Sequence, residues 1–494
     1  MKYFEISIIF LIIFIFVSLW LFRCMLQRKL YRAYLLRKLT SIYKKECYDG
    51  VFSSYLIFKI ADFIYELPKN KRMQILSALE SESYKKISEA FALTGEMYSY
   101  LFSVQFKLNE AKIKLKSIKE KSDNVLIYLS KALVCAKEFD YVKLRKILDD
   151  VKKCRPDKIQ KGMFLRLEAL LNMTDSDMFS ASKNSAMSAK IFKKYGLPYE
   201  EAESYFLLGE IYRISAVFDV SQIMYDEAAK IYALLKYPAK EATVKASKSM
   251  LLMAQERFDE AKDLLVESKK IFRENKLHVS EGEIVNQESL LNMLQKKYVQ
   301  SLKCANKALE IHQKYKNTRG MAFSYELISL IRYLQKKYRE VVFSAELSMK
   351  YYLKTKNYAG FEDCAFVLAQ AYFGLSDYDN AQKVCREIIK IHNKYPTCFH
   401  IANVYSLLGL IFVKLKDFNR AAALFKKSLN MEQCNERYSA AATDYVNLAL
   451  VCSKGGRTEE AAQYLQSALE SADKHGNVEL CNLISEYMKK TLKI

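Results

Sequence analysis

The sequence predicts an all-α protein: an array of stacked helical hairpins behind one membrane-spanning helix. Three observations carry this. Gly and Pro, the residues that make tight turns and break helices, number only 13 and 5 in 494 residues. Aromatic and small residues return every forty positions over the C-terminal half of the chain. An uncharged run, ISIIFLIIFIFVSLWLF, occupies Ile6 to Phe22. Hydrophobic residues at 51% and charged residues at 27% exclude a disordered polymer and supply enough apolar surface for a large core.

The apolar run comes first. A helix of about 20 residues at 1.5 Å each spans a ~30 Å bilayer core, so residues 1–26 read as an anchor, with Arg23 snorkelling to the interface. A cleavable signal wants small residues at its cut site, and Leu21, Phe22, Arg23, Cys24 and Met25 stand there instead. Before the run lie Lys2 and Glu5; after it, residues 23–50 carry eight Lys and Arg against two acids. The positive-inside rule then puts the amino terminus outside and the long C-terminal part in the cytoplasm, after a single crossing. Residues 27–49 form a basic juxtamembrane segment. Arg23, Arg28, Lys29, Arg32, Arg37 and Lys38 are expected to rest on anionic headgroups. Residues 50–124 are helical in composition and poorly periodic.

From residue 125 onward the pattern is a clock. Phe218, Phe258, Tyr298, Tyr338, Tyr378 and Phe418 are forty apart, and they are read as packing residues of the hairpin interior. Three residues later come Ser221, Ala261, Ser301, Val341, Ala381, Ala421 and Ala461; seven later again, Ala228, Ser268, Ala308, Ser348, Ile388, Ser428 and Ala468. Gly209, Ser249, Ser289, Ser329, Ala369, Gly409 and Ala449 precede the aromatics. Small residues recurring on one face of each of two helices let the helices approach closely, so each period is a helical hairpin. Pro198 and Pro238, and likewise Gly320 and Gly360, are forty apart and are placed just ahead of first helices. Seven repeats are clear. Two earlier ones drift in phase, with second helices near Ala181–Ile191 and Lys143–Val151.

Charge and reactive residues narrow the function. The net charge of +22 is spread with both signs interleaved, without a polybasic tail, so nucleic acid is not an expected partner. The eleven cysteines fall in no C-x-x-C pair, which argues for reduced thiols and against a metal site. His312 and His392 hold one position in alternate repeats and read as structural. No phosphate loop, H-E-x-x-H, G-x-S-x-G or kinase set occurs, so neither an enzyme nor a cofactor is expected.

The segments YFLLGEIY (Tyr205–Tyr212), VYSLLGLIF (Val404–Phe412) and DYVNLALV (Asp444–Val451), each followed by the aromatic and small residues of the clock, resemble tetratricopeptide repeats. The forty-residue length is similar to the long-repeat branch found in kinesin light chains. The resemblance covers residues 125–494 and implies an α-α superhelix whose first helices line a concave groove for a peptide or a partner's helix. In that phase the inward residues are Glu203, Phe206, Glu210, Arg213, Asn286, Leu290, Phe323, Glu326, Tyr333, Asp363, Phe366, Gln370, Asn403, Leu410 and Asn447. Asn447 matches the repeat residue that commonly contacts ligand backbone in the family.

An anchor followed by cytoplasmic repeats also resembles bacterial inner-membrane proteins of envelope biogenesis, without their C-terminal C-x-x-C pair. An organelle outer-membrane import receptor has a similar layout, but its carboxylate clamp needs Lys where this chain has Phe206, Ala246, Asn286, Glu326, Phe366, Ser406 and Val446. The resulting expectation is a membrane-anchored scaffold that recruits a protein or peptide. A peptide-responsive regulator and an import or chaperone receptor are the alternatives.

Overall fold

The computed structural model describes residues 33–34, 37–38, 54–80, 88–90, 125–138, 140–395, 401–434, 437–474 and 477–492. Ile6–Phe22, with Arg23, Arg28, Lys29 and Arg32, lies outside the described residues; Arg37 is exposed and Lys38 half-buried on helix. No helix among the described residues is long and apolar enough to cross a membrane. Every long element is a helix. Helices α1 (Ser54–Glu66) and α2 (Lys69–Glu80) come first, followed by α3 (Val125–Glu138), α4 (Tyr141–Lys153), α5 (Lys158–Thr174) and α6 (Met178–Lys194). Next are α7 (Pro198–Ile214), α8 (Phe218–Leu234), α9 (Pro238–Ala254), α10 (Phe258–Glu274), α11 (His278–Leu294) and α12 (Tyr298–Lys314). The series continues with α13 (Thr318–Leu334), α14 (Tyr338–Lys354), α15 (Tyr358–Gly374), α16 (Tyr378–Lys394) and α17 (Ile401–Lys414). It ends with α18 (Phe418–Cys434), α19 (Tyr438–Lys454), α20 (Thr458–Lys474) and α21 (Val478–Leu492). From α3 on, odd helices are the first and even helices the second members of hairpins.

Two compact units result. One takes residues through Met173, Asp177–Gln255 and Val266–Leu277; the other takes Thr174–Ser176, Glu256–Leu265 and everything from His278. The apolar faces of α1 and α2, with Leu56, Ile60, Ile64 and Leu79, join the core of the first unit. The α5–α6 hairpin keeps the forty-residue register, its second helix starting at Met178, forty before Phe218. The expected phase drift is absent there, because Met178 takes the aromatic position while Ala181 and Ser188 keep the small ones. Drift begins one hairpin earlier, where a longer connector carries Pro156 and a capping box. In it the amide of Asp157 donates to Gln160 and the amide of Gln160 to Asp157, both at 2.8 Å.

The connectors explain the clock. At Lys236, Lys276, Lys296, Lys316, Lys336, Lys356 and Lys416, and at Gly196 and Gly456, the backbone turns left-handed, at twenty-residue steps or multiples of them. Each such residue lies just past a helix end and donates back into it. Lys336 N–H donates to the Tyr333 carbonyl at 2.8 Å and Lys337 N–H to the Arg332 carbonyl at 2.9 Å, a Schellman turn. The residue that closes the turn caps the following helix. Asn317, Asn357, Asp377 and Asp417 do so with side chains accepting from the amides of Gly320, Gly360, Asn380 and Arg420.

Packing within a hairpin is set by size. A Cβ added at Gly209 meets the Tyr225 ring at 2.5 Å, and one at Gly409 meets the Phe425 ring at 2.5 Å. Where the first helix carries Ser or Ala instead, at Ser289, Ser329 and Ala369, the second carries Ala305, Ala345 and Cys385. Serines reinforce the seam at a constant separation of 26 residues. Ser188 donates to the Gly162 carbonyl at 2.8 Å, Ser348 to Ala322 at 2.9 Å and Ser428 to Ala402 at 2.9 Å. Gly320 and Gly360 are not turn residues, as their spacing suggested. They lie inside the first turns of α13 and α15, where the His312 ring packs on Gly320 and the Tyr352 ring sits 2.6 Å from a Cβ placed at Gly360. The clock aromatics also differ from expectation. Phe218, Tyr298, Tyr338, Tyr378 and Phe418 are half-buried at the hairpin turn, Tyr338 against Tyr333 and Tyr378 against Phe373.

Replacing Gly409 by Ala forces this seam apart and is expected to cost about 1–3 kcal/mol. Adding Phe425→Leu should recover part of that loss, since Leu465 serves opposite Ala449. Thermal midpoints and hydrogen exchange in α17 and α18 measure both. Lys336→Gly, which removes a side chain from a left-handed residue, should stabilise by about 1 kcal/mol.

Candidate functional site

The consecutive first helices α7 and α9, and those from α11 to α21, touch one another, whereas consecutive second helices among those described have at most marginal contact. The first-helix layer is therefore the tighter side. Each first helix buries one stripe against its own second helix (Gly282, Ala322, Ser329) and another toward the neighbouring hairpin (Ile284, Ser324, Ile331). Between the two lies a stripe that no helix among the described residues closes. In the second unit it holds Leu290, Phe323, Leu330, Phe366, Gln370, Asn403 and Leu410, all half-buried.

In the first unit the corresponding face is a packed ionic cluster. Lys240 Nζ lies 2.6 Å from the Glu203 carboxylate, which also accepts from the Tyr232 hydroxyl. Burial alone would push Glu203 up, but the charges of Lys240 and Arg166 outweigh it and hold the carboxyl down at about 2. Lys240 also stands over the Tyr199 ring, 5.6 Å from its centroid. Two turns further along α7, Arg213 pairs with Glu210 at 2.8 Å, and the Tyr225 hydroxyl donates to Glu210 at 2.6 Å. Phe206 lies 5.9 Å from the Tyr225 ring. Phe206, Glu210 and Arg213 are thus brought together, with each charge already matched.

The second unit distributes its residues differently. Asn286 is 1% exposed and engaged inside the hairpin, facing His312 Nε2 at 3.3 Å and accepting from Ser324 at 2.9 Å. It is not on the open face where its phase placed it. Burial drives His312 down to about 4, so it stays neutral within this cluster, with Asn317 3.2 Å from Nδ1. Glu326 accepts from the Tyr352 hydroxyl of its own hairpin. Burial first, and then the nearby charge of Asp363, raise its carboxyl to about 7 despite that hydrogen bond. Phe366 and Tyr333 stay half-buried at the edge of the core. Asn447 reaches Ser406 Oγ at 3.4 Å, and Ser406 donates to the buried Asp444 at 2.8 Å. Part of the Asn447 amide is therefore used between repeats.

The second-helix rings that back this layer form a set of which only the two histidines were singled out beforehand. Tyr232, His312, Tyr352 and His392 occupy one position of the forty-residue register, and each meets a polar residue of its own first helix. The signal was present as the same clock started from residue 232, and only its two histidines were noticed.

Family models described as tetratricopeptide repeat match residues 363–433 and 445–479. Those stretches carry tetratricopeptide repeats, and the same hairpin register runs back to α5. No curated protein matches the sequence. Among solved structures, a Rap protein complexed with competence and sporulation factor aligns at 12% identity and TM-score 0.49, over 78% of this chain and 99% of that one. A signal transduction ATPase with a tetratricopeptide repeat sensor from Pyrococcus horikoshii aligns at 13% identity and TM-score 0.48, over 90% of this chain and 69% of that one. The apo quorum sensor NprR from B. thuringiensis aligns at 12% identity and TM-score 0.42, over 82% and 99%.

Glu326 gives the fold a pH signature. Its folded carboxyl titrates above the unfolded one, at about 7 against 4.5, so the native state binds the extra proton between those values. That contribution is full below the unfolded value and is lost as pH rises through 7. Glu326→Gln should therefore unfold at higher temperature than wild type at pH 8, with the difference shrinking toward pH 5. Thermal scans across this range measure it.

Proposed function

We propose that the protein is a non-catalytic binding module: the first-helix face of its repeats holds a protein or peptide segment, and residues 1–26 tether it to a membrane. The observation that carries the binding reading is the half-buried stripe of Leu290, Phe323, Leu330, Phe366 and Leu410, which no helix among the described residues covers. Aromatic and aliphatic side chains in such a position are the usual anchors of a bound segment, and neighbouring amides such as Gln370 and Asn403 suit its backbone. The repeat matches over residues 363–433 and 445–479 support the same reading.

The tether rests on the sequence: the run Ile6–Phe22 and the basic residues after it. In this proposal the repeats lie on the cytoplasmic side, with Arg23, Arg28, Lys29, Arg32, Arg37 and Lys38 against anionic headgroups. A bacterial inner membrane is the favoured setting, with an organelle outer membrane as the alternative.

Two measurements test these parts separately. The protein should stay in the membrane pellet after alkaline carbonate washing, and its release would remove the tether. A photoreactive residue at Phe366 should capture a discrete protein in cells, while the same residue at exposed Phe343 on second helix α14 should not. Equal capture from both sites would remove the binding face.

A further inference from the structure

We infer that one edge of the second unit rests on anionic lipid headgroups: the row of Lys314, Lys316, Lys350, Lys354, Lys390 and Lys394, where the second helices α12, α14 and α16 end. The inference rests on the membrane tether proposed above and adds a contact made by the repeats themselves.

Charge distribution is the first argument. Helices α12, α14 and α16 are the second members of successive hairpins, so their C-terminal ends share one edge of the unit. The stretches 307–317, 347–357 and 387–397 hold eight lysines and two acids, Glu310 and Glu387. The six lysines of the row are exposed, and no carboxylate among the described residues pairs with any of them.

Local electrostatics explains only half of this pattern. A helix C-terminus favours lysine through its dipole, which accounts for Lys314, Lys354 and Lys394 one at a time. The same rule favours acids in the first turn of the next helix, which starts at this edge. Helices α7, α9 and α11 follow it with Glu201, Glu241 and Glu281. Helices α13, α15 and α17 carry no acid in the first turn, and α13 carries Arg319 there. A chain that leaves out the favoured counter-charge at three consecutive repeats keeps this edge cationic, and such departures from a local rule mark functional surfaces.

The opposite edge is an internal control. There Arg332 and Lys337 meet Glu340 at 2.9 and 3.7 Å, Arg420 meets Asp417 at 2.6 Å and Arg457 meets Glu460 at 3.1 Å. These cations are matched within the fold.

The company of the lysines favours headgroups over an acidic protein segment. Tyr315 and Tyr395 lie in the same row, under Lys314 at 5.7 Å and Lys394 at 5.2 Å, and Leu353 is exposed beside Lys354. Lysine stems, phenol rings and an isolated leucine at one level suit a membrane interface, with charged tips among the headgroups and apolar bodies toward the acyl boundary. Each lysine adds little alone. A chain held by residues 1–26 keeps the row at high effective concentration near the leaflet, so contacts too weak to recruit a free protein suffice.

The test reconstitutes the full chain in lipid nanodiscs of phosphatidylcholine alone or with about one-third phosphatidylglycerol. Lysines are then acetylated and read one by one by mass spectrometry. Labelling of Lys350, Lys354 and Lys390 should fall at least about threefold with phosphatidylglycerol and return in ~1 M salt, where the Debye length shrinks to ~3 Å. Lys336, exposed on the opposite edge, should be unaffected. Lys314→Gln with Lys354→Gln and Lys394→Gln should abolish the protection of Lys350 and Lys390 at unchanged helicity. Equal labelling in the two nanodiscs overturns the headgroup assignment, as does protection that survives in the triple variant. Protection by an added Glu/Leu peptide in phosphatidylcholine, with none from phosphatidylglycerol, gives the edge to an acidic protein segment instead. Co-elution with phosphatidylcholine nanodiscs reads the tether separately. A chain that co-elutes only with phosphatidylglycerol, and loses this in the triple variant, has the edge contact without the tether; one that co-elutes with neither has neither.

Discussion

Small residues on each first helix expose backbone, and the ring or branched chain of the second helix lies directly on it; every other feature of the repeats follows from that close approach. Gly209 under Tyr225 and Gly409 under Phe425 are the tightest cases. Where the first helix has Ser or Ala, the partner is small at Ala305, Ala345 and Cys385 and a leucine at Leu265 and Leu465. Serine hydroxyls donating across the seam to carbonyls 26 residues earlier keep the register without widening it. A hairpin locked in this way has one exposed first-helix stripe, and stacking presents that stripe again at every repeat.

The same stripe carries different electrostatics in the two units. In the first, acids and bases neutralise one another within the fold: Glu203 with Lys240, Glu210 with Arg213. Such a surface is already satisfied and gives a charged partner little to gain. In the second, polar groups gather in an interior cluster around His312, and the open face carries the rings of Phe323 and Phe366, with Glu326 accepting from Tyr352 beside them. The interior cluster is buried and spent on specifying the hairpins. The face keeps half-buried rings, and burial raises the Glu326 carboxyl to about 7.

Most of the hairpin architecture was legible in the sequence, because size alternation repeats on a fixed interval. Ser221, Ser301 and Gly409 disclosed the seam without any structure. What misled was local identity. Gly320 and Gly360 look like turn residues, whereas the turns use Lys316 and Lys356 in left-handed conformation, a choice propensity disfavours. The glycines are required instead by the rings of His312 and Tyr352, a contact between adjacent repeats that one-dimensional spacing does not reveal. The candidate site was legible only as a phase. Glu326, Phe366 and Gln370 are half-buried in that phase, whereas Asn286, which shares the phase of Glu326, is buried beside His312.

The seam has natural reporters. Cys385 faces Ala369 within its hairpin, and Cys364 lies against Ser329 and Ala345 of the preceding one; both are buried, and burial pushes both thiols up to about 12. Cys304 and Cys481 are half-buried. Thiol labelling of the native protein, read cysteine by cysteine by mass spectrometry along a denaturant series, measures whether the seam is closed. The account predicts that Cys304 and Cys481 label first and that Cys364 and Cys385 react only once the hairpins open. Labelling of Cys364 and Cys385 in the native state as fast as Cys304 would contradict it.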